Sequence, residues 1–313
     1  MISIIIPIYN VEEFIVSCLQ SVVAQTYNDY EVVLVDDCGT DRSMKLVNEF
    51  LKDSPFAAKF HIIRHDENRG LSAARNTGTK AAKGEYILYL DSDDTILPNT
   101  LEKLIGESIR TDAEMVIGNI HVIGEDKWIP KLKSDCHLST DCFHDYLQGQ
   151  YYMMAWNKLV KRNFLEKNHI TFVEGLIHED CAWSFIMACH LKKVSFVFEE
   201  TYNYLVRNNS IQTDRNFSKH FKAYCFLLKY YADVANKYGR AEDSEFRWWF
   251  ECQKALFFGI TCNQGTMSQQ RQIYKVIRRN LPSKGWDKMR LHSQLPALLG
   301  IFVYKKWFGM YLL

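Results

Sequence analysis

The first hundred residues alternate between short, nearly continuous apolar runs and longer stretches whose apolar positions recur every three or four residues. Ile2 to Ile6 is a β-branched run that reads as a strand ending at Pro7. Pro7-Ile8-Tyr9-Asn10 reads as a turn, with Asn10 placed to cap a helix. Val11, Phe14, Ile15, Cys18, Leu19, Val22 and Val23 then form one helical stripe. Glu31 to Val35 is a second strand, closed by Asp36-Asp37, and a helix is expected from about Asp41 to Leu51. Phe60 to Ile63 is a third strand, and Asn68-Arg69-Gly70 opens a helix that ends near Lys83-Gly84. Tyr86 to Leu90 is a fourth strand, running straight into Asp91-Ser92-Asp93-Asp94.

Strands this apolar, alternating with helices, predict an α/β fold whose parallel sheet is covered on both faces. Ligands of such sheets collect at the carboxyl ends of the strands. Tyr9-Asn10, Asp36-Asp37, Asn68-Arg69-Gly70 and Asp91-Ser92-Asp93 all fall at those ends. Three carboxylates within four positions are costly to keep ionised without a cation among them, so the last ending reads as a divalent metal site. The alternative for that stretch alone is an acidic turn that stops the strand. A Rossmann nucleotide site is excluded, because the first turn lacks its glycines, and a P-loop is excluded because G-x-x-x-x-G-K-[ST] does not occur.

Beyond Asp94 the pattern loosens. Pro98 to Ile109 reads as a helix and Glu114 to Gly118 as a strand. Residues 121–150 are polar and irregular, with Lys127, Lys131 and Lys133 forming either an acceptor-side loop or a solvated face. Trp156-Asn157-Lys158 is followed by Glu179-Asp180, two carboxylates at a helix start. They could serve as a general base or simply favour the helix dipole. From Phe217 onward the spacing is helical, with a second apolar helix over Phe246 to Ile260.

The chain has 313 residues, 47% hydrophobic and 24% charged, with net charge +1, which gives no reason to expect nucleic acid as a partner. Nine cysteines without a C-x-x-C pair suit packed thiols in a reducing compartment, and the expected location is cytoplasmic. No signal peptide and no spanning helix are read. The apolar stretch 295–313 suits either an interfacial helix, giving peripheral contact at the inner face of a membrane, or a segment docked on the core or on a second copy of the chain.

Four blocks in order, S-I-I-I-P-I-Y-N-V-E-E-F, V-L-V-D-D-C-G-T-D, N-R-G-L-S-A-A-R-N-T-G and G-E-Y-I-L-Y-L-D-S-D-D, resemble the signature of the family 2 glycosyltransferases. That resemblance implies the GT-A fold, a mostly parallel sheet sandwiched by helices. It implies a catalytic domain over residues 1–215 and a mainly helical region over 216–313. It further implies an inverting transfer from a nucleotide-diphosphate sugar, such as a UDP-sugar, to a hydroxyl of a glycan or lipid-linked acceptor, with Mn²⁺ or Mg²⁺ as cofactor. Pro7 and Tyr9 after the first strand, Asp37, Arg75, Asp91 and Ser92 would face the donor. Asp93 would ligate the metal, and Asp180 would be the base. A tyrosine-rich strand leading to R-x-x-S matches Thr201 to Ile211, and Arg207 would either neutralise the leaving diphosphate or pair structurally. Two other readings are a sugar-phosphate nucleotidyltransferase, which would need a Gly-rich basic loop after the first strand, and a non-catalytic binding protein that kept the fold.

Overall fold

A computed structural model describes residues 1–124, 132–133, 136–206 and 216–279. The chain divides into two compact units, the first carrying the described residues up to Val206 and the second those from Asn216 to Arg279.

In the first unit, strands β1 (Ile2–Ile8), β2 (Tyr30–Asp36), β3 (Phe60–Arg64) and β4 (Tyr86–Tyr89) pair in parallel in the order β3-β2-β1-β4. Helices α1 (Ile15–Val23), α2 (Ser43–Lys52) and α3 (Leu71–Ala81) make the crossovers. The first two crossovers step outward from β1, and the third jumps back across it. With right-handed crossovers this puts α3 on the sheet face opposite α1 and α2, as expected for a doubly covered sheet. Ala74 and Ala81 of α3 pack on Val33, Val35 and Ile63. The reversal makes the carboxyl ends of β1 and β4 the switch point, where a cleft must open.

The rest of the unit comprises β5 (Thr95–Ile96), α4 (Thr100–Thr111), β6 (Met115–Ile123), β7 (Leu138–Ser139), α5 (Cys142–Leu147), β8 (Lys158–Lys161), α6 (Arg162–Lys167), α7 (Glu179–His190) and β9 (Val194–Leu205). Strand β8 inserts antiparallel between β4 and β6, β9 adds parallel to β6, and β5 adds antiparallel to β9. The long strands all run one way, so the sheet is mostly parallel, with short reversed strands. Three local expectations change. Helix α1 starts at Ile15, and Asn10 adopts a left-handed conformation (φ 51°) instead of capping it. Its side chain accepts from Thr40 N–H and ties the loop after β1 to the loop after β2. The stretch 121–150 holds the end of β6, β7 and α5, while Lys127 and Lys131 lie outside the described residues.

Pro7 lies inside β1, opposite Val35 of β2. Ile5 O accepts from Leu90 N–H on the β4 side, and Ile8 O accepts from Asp37 N–H on the β2 side. Alternate residues of a strand address alternate neighbours, so Pro7 faces the β4 side, just past the last pairing of that strand. A proline is tolerated there because no ladder donor is lost.

The second unit contains α8 (Phe217–Lys237), α9 (Ser244–Gln264) and α10 (Met267–Arg279). Asp243 caps α9 by accepting from Glu245 and Phe246 N–H. Tyr224 stacks on Phe257 at 4.6 Å and Tyr231 meets Trp249 edge-on at 4.9 Å, so the aromatic spacing of α8 is core packing. Among the described residues no helix is long and apolar enough to cross a membrane, and none of the nine cysteines is in a disulfide. The segment 295–313 and Arg207 lie outside the described residues.

Gly78 lets α3 sit close on β1, since a Cβ there would fall inside contact distance of the Ile5 side chain. Gly78→Ala should therefore destabilise the protein by about 1–3 kcal/mol through overpacking, although alanine is the better helix former by about 1 kcal/mol. Thermal unfolding reads this directly, and an unchanged or higher Tm would refute the close approach.

Candidate active site

The site forms where β1 and β4 part. Strand β4 is buried throughout and rigid, and the chain after it turns at once through Asp91 to Asp94. Ligand oxygens of Asp91, Asp93 and Asp94 lie within 4.8 Å of one another. The three carboxylates are not equivalent. Asp94 is buried, its Oδ2 accepting from Tyr202 Oη at 2.7 Å and its Oδ1 from Leu205 N–H at 2.8 Å. It fastens the acidic loop to the end of β9. Burial, then the charges of Asp93 and Asp91, push the Asp94 carboxyl well above its ordinary range. Burial and the same acidic loop also raise the Cys18 thiol, whose Sγ lies 3.8 Å from Asp91 O. Crowded carboxylates of this kind suit a hard divalent cation. Asp93, partly exposed, and the outer side of Asp91 are the groups placed to hold one, while Asp94 is spent on the fold. Ser92, between them, is buried.

Arg75 is the centre of the arrangement. It lies on α3 and is 1% exposed. Its Nη2 donates to Asp91 Oδ1 at 2.8 Å, and its Nη1 donates to Glu179 Oε1 and Asp180 Oδ1, each at 2.9 Å. The Phe172 ring lies 5.2 Å from the guanidinium. One cation thus joins the end of β4 to the first turn of α7, 105 positions further along the chain than Arg75. The Glu179-Asp180 pair does open a helix, but both side chains turn onto Arg75 instead of lying in solvent. Burial and the neighbouring Asp180 charge lift Glu179 to about 7. Burial also raises Asp180, with Arg75 acting against it, Asp91 adding to it and Lys158 opposing.

Asp37 is committed within the protein. Its Oδ1 accepts from His65 Nδ1 at 2.6 Å and from Arg69 N–H at 2.8 Å, and its Oδ2 from Gly70 N–H at 2.7 Å. His65 Nε2 meets Thr77 Oγ1 at 2.9 Å. The side chain is 3% exposed, so Asp37 fixes the entry to α3 and has little surface left for a ligand. Gly70, with φ 85°, takes the left-handed turn this entry requires. Tyr9, at the end of β1, is 48% exposed, and its ring faces solvent. The structure therefore brings Arg75, Asp91 and Asp180 into one hydrogen-bonded group. It places Asp93 and Asp94 beside that group, leaves Tyr9 and Pro7 at the β1 end, and turns Asp37 inward.

Sequence reasoning singled out Trp156-Asn157-Lys158 and Glu179-Asp180 but did not foresee that Glu179 pairs with Arg75 or that Lys158 is a fully buried cation. The signal for the second was the Trp156-Asn157-Lys158 stretch, with its lysine set in the apolar run of β8.

Arg75→Met would leave three carboxylates facing one another without the cation they all hydrogen-bond. A loss of about 3–5 kcal/mol is expected near pH 8, where all are driven to ionise. Carboxyl groups whose folded pKa lies above the unfolded value favour the folded state most at low pH, and that advantage disappears as pH rises through the folded pKa. With Glu179 already at about 7, the variant should be markedly less destabilised at pH 5 than at pH 8. Urea unfolding at the two pH values checks this, and equal losses would contradict the charge argument.

Comparison with known proteins agrees with this architecture. The model of the glycosyl transferase family 2 matches residues 3–175. The glycosyltransferase GlyG of Streptococcus pneumoniae is 30% identical over 224 residues, covering 67% of this chain and 72% of GlyG. The structure of S. aureus TarS 1–349 in complex with UDP-GlcNAc aligns with a TM-score of 0.64 at 17% identity, over 89% of this chain and 88% of that one. The mannosyltransferase PcManGT from Pyrobaculum calidifontis, in complex with GDP-Man and Mn²⁺, aligns with a TM-score of 0.53 at 17% identity, over 98% and 87% of the two chains. The fold is that of the GT-A glycosyltransferases, and the chain belongs to glycosyl transferase family 2.

Proposed function

We propose that this glycosyltransferase moves a sugar from a nucleotide diphosphate, a UDP-sugar in the first instance, to a hydroxyl of a glycan or lipid-linked acceptor, with inversion at the anomeric carbon. The observation that carries the reading is the single guanidinium of Arg75 shared between Asp91, on the acidic loop, and Asp180, at the start of α7. Donor-side and acceptor-side carboxylates held on one cation keep a fixed spacing, which a displacement between two substrates requires. TarS and PcManGT, with their bound UDP-GlcNAc and GDP-Man, support a nucleotide-sugar donor, and the Mn²⁺ of PcManGT together with the acidic cluster supports a divalent metal, Mn²⁺ or Mg²⁺.

In this reading Asp93 holds the ion, and Asp91 lies against the donor with Arg75 behind it. Bound there, a divalent cation would supply positive charge for the departing diphosphate. Tyr9 offers its exposed ring to the nucleobase, Pro7 and Ser92 shape the floor of the pocket, and Asp37 acts through the loop at Arg69-Gly70. Asp180 is the base that takes the proton of the acceptor hydroxyl. It is the more open of its pair, with 18% of the side chain exposed against 9% for Glu179. Burial raises its pKa, with Arg75 acting against that shift, and the raised pKa makes it a better proton acceptor than an ordinary aspartate. One base taking the proton while the hydroxyl attacks the anomeric carbon directly gives inversion. Arg207 would meet the leaving diphosphate.

The wider proposal is synthesis of a surface polysaccharide by a cytoplasmic enzyme, with a catalytic domain over 1–215 and a helical region over 216–313. Its segment 295–313 would meet the membrane or a second copy of the chain. A nucleotidyltransferase is disfavoured because the loop after β1 lacks glycine and basic residues.

UDP release from a panel of UDP-sugars, with and without Mn²⁺, tests the reading. Asp93→Ala and Asp180→Asn should each lower turnover by roughly 10²–10⁴-fold, and Asp180→Asn should still bind UDP. If Asp180→Asn kept most of its turnover while Glu179→Gln lost it, the base would be Glu179.

A further inference from the structure

Lys158 is 0% exposed, and among the described residues no carboxylate accepts a hydrogen bond from it. Its Nζ donates to Tyr152 O at 2.7 Å and to Ser184 Oγ at 3.3 Å, among the rings of Tyr152, Tyr151 and Trp183 at 5.1, 5.7 and 5.9 Å. The bond to Tyr152 closes residues 152–158 into a loop that lies along the first turns of α7. From that loop Met153 O accepts from Ser184 Oγ, and Ala155 N–H donates to the Asp180 carboxylate. Ser184 stands one helical turn beyond Asp180, on the same side of α7.

We propose that Lys158 is a positioning residue for Asp180, fixing the loop that presents Ala155 N–H to the carboxylate and lending it a second positive charge. This rests on the reading of Asp180 as the base. A purely structural lysine is a poor account of the site, because a buried ammonium costs more than an apolar side chain of the same length would. Burial pulls Lys158 down to about 7, and Asp180 works against that shift. The charged groups that face Asp180 are Arg75 from α3, Asp91 from the end of β4, Glu179 beside it on α7 and Lys158 from β8. Of these, Lys158 alone is tied to the loop whose Ala155 N–H hydrogen-bonds the carboxylate.

The test compares Lys158→Met, Ser184→Ala and Asp180→Asn in the full chain, by UDP-release kinetics between about pH 5 and 9 and by a carbon-13 NMR titration of Asp180. Lys158→Met should fold with Tm equal to or above wild type, lose at least tenfold in kcat, and keep the donor KM within about twofold. Removing a nearby positive charge raises a carboxyl pKa, so the acidic limb and the Asp180 titration should both move up by about half to one unit. Ser184→Ala keeps the charge and loosens the loop, so kcat should fall without a shift of the limb. An unchanged kcat with an unshifted titration in Lys158→Met overturns the proposal, as does a parallel fall in Tm, kcat and donor affinity that marks a structural role. Full activity of Asp180→Asn would refute the base assignment instead, and the NMR shift still reports on Lys158 in that event.

Discussion

One buried guanidinium balances three carboxylates brought from two distant parts of the chain. In a low-dielectric interior an arginine cannot discharge itself, and carboxylates crowded about it cannot all ionise unless it is there. Arg75 is therefore the condition on which α3, the end of β4 and the start of α7 can meet at all. The flanking structure serves that condition. Asp37 and His65 anchor the entry of α3, the buried β4 gives the acidic loop a fixed root, and Phe172 packs against the guanidinium. Precision at the site comes from charge balance as much as from hydrophobic packing.

The acidic loop shows how identical side chains diverge by environment. Asp94 is buried, engaged by a tyrosine hydroxyl and a backbone amide, and its acidity is suppressed. Asp91 leans on Arg75, and Asp93 stays at the rim. A run written as one acidic word thus separates into a fastening, a shared partner and a carboxylate left at the rim.

The parallel half of the sheet was legible because β1, β2 and β4 are buried on both faces and read as unbroken apolar runs. The D-x-D ending stood out for the same reason, since the polarity change is abrupt. Strand β8 was not legible: Lys158–Lys161 is too short to show a period, and it carries a lysine where burial predicts an apolar residue. The capping role assigned to Asn10 failed because its side chain is drawn off by Thr40 N–H, a partner supplied by tertiary structure. The inward turn of Asp37 and the joining of Arg75 to Glu179 and Asp180 also depend on long-range contacts, which leave no local trace. The family blocks singled out candidate residues; which residue touches which required the fold.

Pro7 carries a consequence of a different kind. Two strands that part at a cleft are under constant temptation to zip further, because every added backbone pair removes an unsatisfied donor and acceptor. At the first position where β1 could stitch itself further along the chain leaving β4, it presents a ring in place of an N–H. The seam cannot heal past that point, and the opening persists whether or not anything fills it.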